Sequence, residues 1–470
     1  MNDNEADEEI TTVDRDHSWS TCIMISSALS LCITVDILQY SMPLAFLPSV
    51  LEDRGHTPMK IATAIGVYYW TGFAGGSLIT CYQIWCLLSG KGHAMVATVS
   101  ESRLQIKYLI FGLLAGSATL AVQAMHPHIM THISCRFIQG FAGAFIFFYA
   151  FLLNINIFKD SQQVFAITAA STALNIAEVL GSTLGAVLYD IWGQRSVFCF
   201  LGVVSIVNQA LLLVAFWSLK PGGSKRKLSI MQSVPPMVGW NRLKATLSNK
   251  RLRCAIVLIM MAAVVKGSVE EMLPFHADHE WGFRPAKIGE LFSIVAFAYI
   301  VAAVCVGRFW SRLSDRKVLF GTLCLSDGRI ILSAFCLSLL GAAAWVCFRI
   351  EEYWKQEQVL WGALVVYGAC LGLTHTPAAL LLADAIDHEA GKAKDAVNGI
   401  WNTMWEAGGS MGFFLGGFLA DSYTGQVDLI TAYVVCCLLC AGLMLSIGDW
   451  DDTCITKSTR SEPVLYGTSA

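Results

Sequence analysis

Twelve separated apolar runs, each about long enough to cross a bilayer, constrain this chain more than any other feature. A hydrocarbon core about 30 Å thick takes about 20 helical residues, and inside it only helices and closed barrels satisfy the backbone. Runs of that length predict spans at Cys22–Pro48, Ile61–Leu88, Leu104–Met125, Ile133–Ile157, Val164–Tyr189 and Val197–Leu219. After a gap come Cys254–Phe275, Ile288–Phe309, Val318–Phe348, Val359–Ala383, Ala396–Ala420 and Leu429–Gly448. The ninth run is overlong, which predicts a tilt or a break. Charged residues make up 14% of the chain, against about 25% in a typical soluble protein. A net charge of −3 leaves no basic footprint for nucleic acid. The expectation is an all-α membrane protein, twelve transmembrane helices in two six-helix bundles.

Lys and Arg residues test the count, because they collect on the cytoplasmic side. With the N-terminus inside, the cytoplasmic connections together with the adjoining span ends (Lys107, Arg308) hold nineteen and the opposite side seven. Both termini are therefore expected in the cytoplasm. The largest contributor, 220–253, has nine basic residues, no acidic one, and turn formers such as Pro221, Gly222 and Pro235. It divides the chain into an acidic tail (1–21), a first bundle (22–219), a basic linker (220–253), a second bundle (254–448) and a C-terminal tail (449–470). The linker suits contact with anionic lipid headgroups, or serves only to fix topology. The acidic segment before the first span is unlike the positive start of a secretory signal, so that span is expected to be retained. Cys436, Cys437 and Cys440 have a metal-like spacing but lie in an apolar run, where small buried hydrophobes are expected.

The fifth and eleventh spans echo one another. Glu178-Val-Leu-Gly-Ser precedes Asp190, and Glu406-Ala-Gly-Gly-Ser precedes Asp421. Such positions are equivalent when six helices are duplicated, and duplicated carriers place the substrate site between the halves. Gly181 with Gly185, and Gly408 with Gly412 and Gly416, repeat at four-residue spacing as close-packing seams.

Charges inside spans cost about 2.5–3.5 kcal/mol each on insertion scales, so they default to function. Asp36 lies one turn before Tyr40 and can shed its buried charge by taking a proton, or accept hydrogen bonds from a neighbouring helix. Asn398, Asn402 and Glu406 share one helical stripe, with Trp401 and Trp405 on the next. An acid beside indoles suits an organic cation through cation–π attraction; packing with the indoles toward lipid is the plainer alternative. Lys266 and Glu270 are one turn apart and can form an internal ion pair. Glu271 points about 100° away, toward the outer membrane face. Asp327 and Arg329 read as structural. Arg136 cannot deprotonate; it serves as a carboxylate's counter-ion, an anion clamp or a lock between helices.

These residues resemble the major facilitator superfamily over almost the whole chain outside the tails, most closely its proton-coupled drug and vesicular amine antiporters. Val35-Asp36 with Pro43 and Pro48 is similar to their acidic, proline-ended first helix. Arg136-Phe-Ile-Gln139-Gly140 resembles their fourth-helix arginine motif, and Glu178 through Gly185 their fifth-helix antiporter motif, with Ser182 where proline is usual. Glu270 precedes Pro274 by four residues, as in the amine transporters, and Gly399 and Gly412 bracket Glu406 with the family spacing. His375 stands where the amine transporters carry an acid. The loop motif after the second span is not recognisable in Ser89–Arg103; a fragment survives at Leu313–Lys317.

The resemblance implies proton-for-substrate exchange by rocking of two halves, with Asp36, Glu270 and Glu406 as proton and cation sites and Arg136 as conformational partner. The expected protein is a monomeric secondary transporter in the plasma or a vesicle membrane, exchanging protons for a small organic solute, cationic or amphipathic. No cofactor, metal or enzymatic activity is expected, since no P-loop or ligand cluster is present. Alternatives are an organic-anion carrier using Arg136 and Lys266, and a non-transporting receptor or scaffold of the same fold.

Overall fold

A computed structural model describes residues 18–88, 99–158, 160–217, 244, 247–313, 318–320, 323–325, 328–353, 356–387, 393–421 and 426–447. Ser18 starts the first helix by accepting a hydrogen bond from the Thr21 amide, satisfying one of the free donors of the first turn. That helix, α1 (Trp19–Ser41), ends where Pro43 and Pro48 enter. A 3₁₀ turn, Met42–Ala45, and a short helix, Leu47–Glu52, each begin with one of these prolines in the first turn, where a missing N–H costs nothing. The first half continues with α2 (Pro58–Leu88), α3 (Val99–Met125), α4 (Ile129–Ile157), α5 (Asp160–Trp192) and α6 (Gln194–Trp217). The second half has α7 (Lys250–Trp281), α8 (Pro285–Leu313), α9 (Gly328–Tyr353), α10 (Glu357–Asp387), α11 (Ala393–Asp421) and α12 (Gln426–Ile447). Among the described residues, eight of these helices are long and apolar enough by composition to cross a membrane. The other long helices are α2, α5, α11 and α12; the described apolar part of α12 is the shorter stretch Val434–Ser446.

The overlong ninth run is broken, one of the two outcomes its length predicts. Its helix starts at Gly328, and Val318–Phe320 pairs antiparallel with Leu323–Leu325 in a small hairpin before it. The apolar residues before Gly328 extended the hydropathy signal without being helical. The linker is outside the described residues apart from Lys244 and 247–253, and the same holds for both tails before Ser18 and after Ile447.

Each half builds its own contacts. In the first, α1 packs on α5 and α6, and α4 lies against α2 and α3; in the second, α7 meets α10, α11 and α9, and α9 meets α10 and α12. The halves join by two long seams, α2 with α11 and α5 with α8. Thus α5 lies between α1 and α8 as α11 lies between α7 and α2. This is the correspondence that the Glu178 and Glu406 echo predicts.

Glycine makes these approaches possible. A Cβ on Gly185 would strike the backbone of Met42, so α5 can lie against the end of α1 only there. A Cβ on Gly412 would strike the Val264 carbonyl of α7. Lipid offers no hydrophobic gain for joining helices, so contact depends on this fit. The outward faces are apolar: Leu180, Phe111, Val203 and Leu439 are exposed. Cys437 packs inside against Gly341, but Cys436 is on the exposed surface, contrary to the expectation of burial.

Candidate functional site

The end of α1 and the middles of α5 and α7 meet at the junction of the halves. Lys266 of α7 sends its ammonium to Glu178 Oε1 at 2.5 Å, across the junction on α5. The same ammonium reaches Glu270 Oε1, one turn along α7, at 2.6 Å. Tyr40 of α1 donates to Glu270 Oε2 at 2.6 Å, closing a second link between halves. The expected Lys266–Glu270 pair therefore forms. Glu178 was expected as a packing residue, yet its carboxylate holds Lys266. Local spacing could not reveal this, because the two residues lie on different helices in different halves.

Beside this cluster is a cavity of about 40 Å³, room for a few waters. It is lined by Ser41, Glu178 and Ser182 of the first half and Lys266, Glu270 and Tyr299 of the second. Toward one end it is closed by α5–α8 contacts. Thr183 donates to the Gly289 carbonyl at 2.9 Å, and Ser293 to the Val179 carbonyl at 2.8 Å. At the tip of the bundle His279, ending α7, lies 3.0 Å from Glu52 of the short helix.

Aromatic rings surround the ammonium. Lys266 Nζ lies 5.9 Å from the Tyr40 ring centroid and 5.6 Å from that of Trp405, within cation–π range. Tyr40 stacks on Tyr68 at 5.3 Å and meets Tyr69 edge-on at 5.1 Å, while Tyr69 stacks on Phe413 at 5.4 Å. Trp401 and Trp405 both flank His375, with centroids 6.1 and 5.0 Å from its ring. They are partly buried against protein rather than lying wholly toward lipid. Tyr299 and His375 Nδ1 are hydrogen-bonded at 2.7 Å. Tyr68, Tyr69 and Tyr299 escaped the sequence reading; a tyrosine pair in mid-span was the available signal.

Among the described residues, Asp36 and Glu271 are buried and Glu406 half-buried, and none of the three forms an ion pair. Asp36 is 4% exposed and accepts from Tyr68 at 3.0 Å. Arg136 is 1% exposed, donates to the Gln39 carbonyl at 2.7 Å, and has no partner at Nε. It forms no ion pair with Asp36 and does not line the cavity, so this state uses it to tie α4 to α1. Glu406 faces Gly72 of α2, and its Oε2 has no partner. Asn402, on the same stripe, is buried near Gly76, and the Asn398 side chain is outside the described residues, as is Asp327. Gly181 faces Ser41, and Gly408 faces Met260 and Ala263. Glu271, about 100° round α7 from Glu270, is fully buried with both oxygens unpartnered, on the side that α11 covers.

The chain is similar to known proteins along most of its length. It is 24% identical over 279 residues to the MFS-type transporter SLC18B1 of Rattus norvegicus, covering 54% of this chain. That match spans only 56% of the rat protein's length. It is 21% identical over 337 residues to multidrug resistance protein 2 of Bacillus subtilis, covering 70% of this chain and 76% of that one. Its fold matches the inward-facing, unoccupied structure of a bacterial homologue of the human lysosomal transporter Spinster, at a TM-score of 0.61 and 9% identity. That alignment covers 92% of this chain and 95% of the other. The profile of the Major Facilitator Superfamily matches residues 29–412. This multi-pass membrane chain belongs to the Major Facilitator Superfamily.

Proposed function

We propose that the chain is a secondary transporter that exchanges protons for small organic cations by alternating access. One observation carries the reading: among the described residues at the junction, Asp36, Glu270 and Glu271 are buried and Glu178 and Glu406 half-buried, five acids beside two buried cations, Lys266 and Arg136. An uncompensated buried charge costs several kcal/mol, so protons or a bound cation must offset the excess. Lys266 is held by two carboxylates and two aromatic rings, an environment that would equally hold a solute's ammonium. A solute cation would displace Lys266, loosening the Glu178 link between halves. The names of the related proteins, multidrug resistance and MFS-type transport, fit this reading. The carrier acts as a monomer embedded in lipid, in the plasma or a vesicle membrane.

An anion clamp of Arg136 and Lys266 fits less well, because Arg136 is outside the cavity and Lys266 is already paired twice. The driving force suffices: one pH unit supplies about 1.4 kcal/mol per proton. The test is uptake of cationic and carboxylate solutes into proteoliposomes at two imposed pH gradients. Cation uptake that follows the gradient, and is lost in Asp36→Asn and Glu406→Gln, is the expected result. Uptake of carboxylates alone, or coupling unchanged in both variants, would overturn the proposal.

A further inference from the structure

Glu271 lies outside the cluster that holds Lys266. It is on the α11 side of α7, where a Cβ on Gly416 would come within 3.0 Å of the Glu271 Cβ. Its relative exposure is 0%, and neither carboxylate oxygen has a hydrogen-bond partner. The adjoining Ser268 hydroxyl is engaged elsewhere, donating to the Val264 and Gly412 carbonyls. Ionisable groups on the packed elements include Glu270, Lys266 and His276 on α7, Glu406 on α11, Arg329 and Arg349 on α9, Tyr367 and His375 on α10 and Glu52 on the short helix. None forms an ion pair with Glu271, and α12 meets α7 at the opposite end, where Cys254 donates to Met444. A carboxylate so placed would pay its full desolvation cost with nothing in return; a carboxylic acid would not.

The surrounding turn is the one place where α7 is weakened. Pro274 lies inside the helix, so the Glu270 carbonyl four residues earlier loses its backbone donor. Bending there would loosen the α7–α11 seam around Glu271 and let in water, which can accept a proton.

We propose that Glu271 is a second proton-binding residue of this carrier, neutral while the α7–α11 seam is closed and ionised when the Pro274 turn bends. The step is loss of the carboxyl proton to that water and its return from the other side. The proposal rests on the transport reading, and adds one proton per cycle to whatever the Lys266 cluster moves.

Two measurements on full-length protein test it. Infrared spectra of protein labelled at glutamate carboxyls should show protonated-carboxyl absorption at neutral pH, one component of which is lost in Glu271→Gln. Absorption unchanged by the substitution overturns the inference, even if transport proceeds as proposed. In proteoliposomes, Glu271→Gln, which mimics the neutral acid in shape, should still carry solute. Its accumulation should respond about tenfold less per imposed pH unit than wild type, the loss of one coupled proton. An unchanged response also overturns it. If wild type shows no proton-driven uptake while the infrared component is present and lost in the variant, the transport reading fails, and the proton-coupling part of this inference fails with it.

Discussion

Replacing Lys266 by Met removes the ammonium while keeping most of the side chain's bulk, and it exposes how the halves are joined. The wild-type ammonium satisfies Glu178 at 2.5 Å and Glu270 at 2.6 Å. Removing one partner of a buried pair costs about 3–5 kcal/mol, because a charge is left behind. Glu270 is 11% exposed as a side chain and keeps its Tyr40 hydrogen bond, while Glu178 is 22% exposed and can turn toward cavity water. The lower end, about 3 kcal/mol, is therefore expected. Equilibrium unfolding in mixed detergent micelles should record that loss, and adding Glu270→Gln to Lys266→Met should recover most of it. Binding of an organic cation should tighten at the same time, about tenfold for each 1.4 kcal/mol no longer spent displacing the ammonium. Unaltered stability together with unaltered cation affinity would refute both the ion-pair argument and the idea that Lys266 competes with solute.

Two further outcomes follow from single contacts. Gly185→Leu should prevent α5 from seating on the Met42 backbone, costing more than the roughly 1–3 kcal/mol typical of overpacking; size-exclusion profiles and thermal unfolding of purified protein would register it, and wild-type behaviour would contradict the packing. Tyr40→Phe removes a donor to a charged carboxylate and should cost about 1.5–3 kcal/mol, read as lowered thermal stability in the solute-free protein; a variant as stable as wild type would show that this link carries no load.

Helix positions and local pairings were legible because their causes are local. Run length alone located α1 through α8 and α10 through α12, and a four-residue spacing foretold Lys266 with Glu270. The Gly181–Gly185 and Gly408–Gly412–Gly416 repeats marked the seams before their partners were known. The excess length of the ninth run foretold its break, but not where: apolar residues register as hydropathy whether they form a helix or, as at Val318–Phe320, a strand. Charge alone left Arg136 as counter-ion, clamp or lock; the turn of α4 sends its guanidinium to the Gln39 carbonyl, the lock.

By itself, then, the sequence determined a lipid-solvated bundle of two echoing halves and a short roster of costly charges, because span length, small-residue spacing and the scarcity of charge act within one helix at a time. Only the tertiary structure decided that Glu178 would hold Lys266, that Tyr68 and Tyr69 would enclose Tyr40, and that Glu271 would face α11 unpaired. Those outcomes depend on how helices rotate and slide against one another. That register is set by many weak packing contacts between segments far apart in the chain, which no local pattern contains.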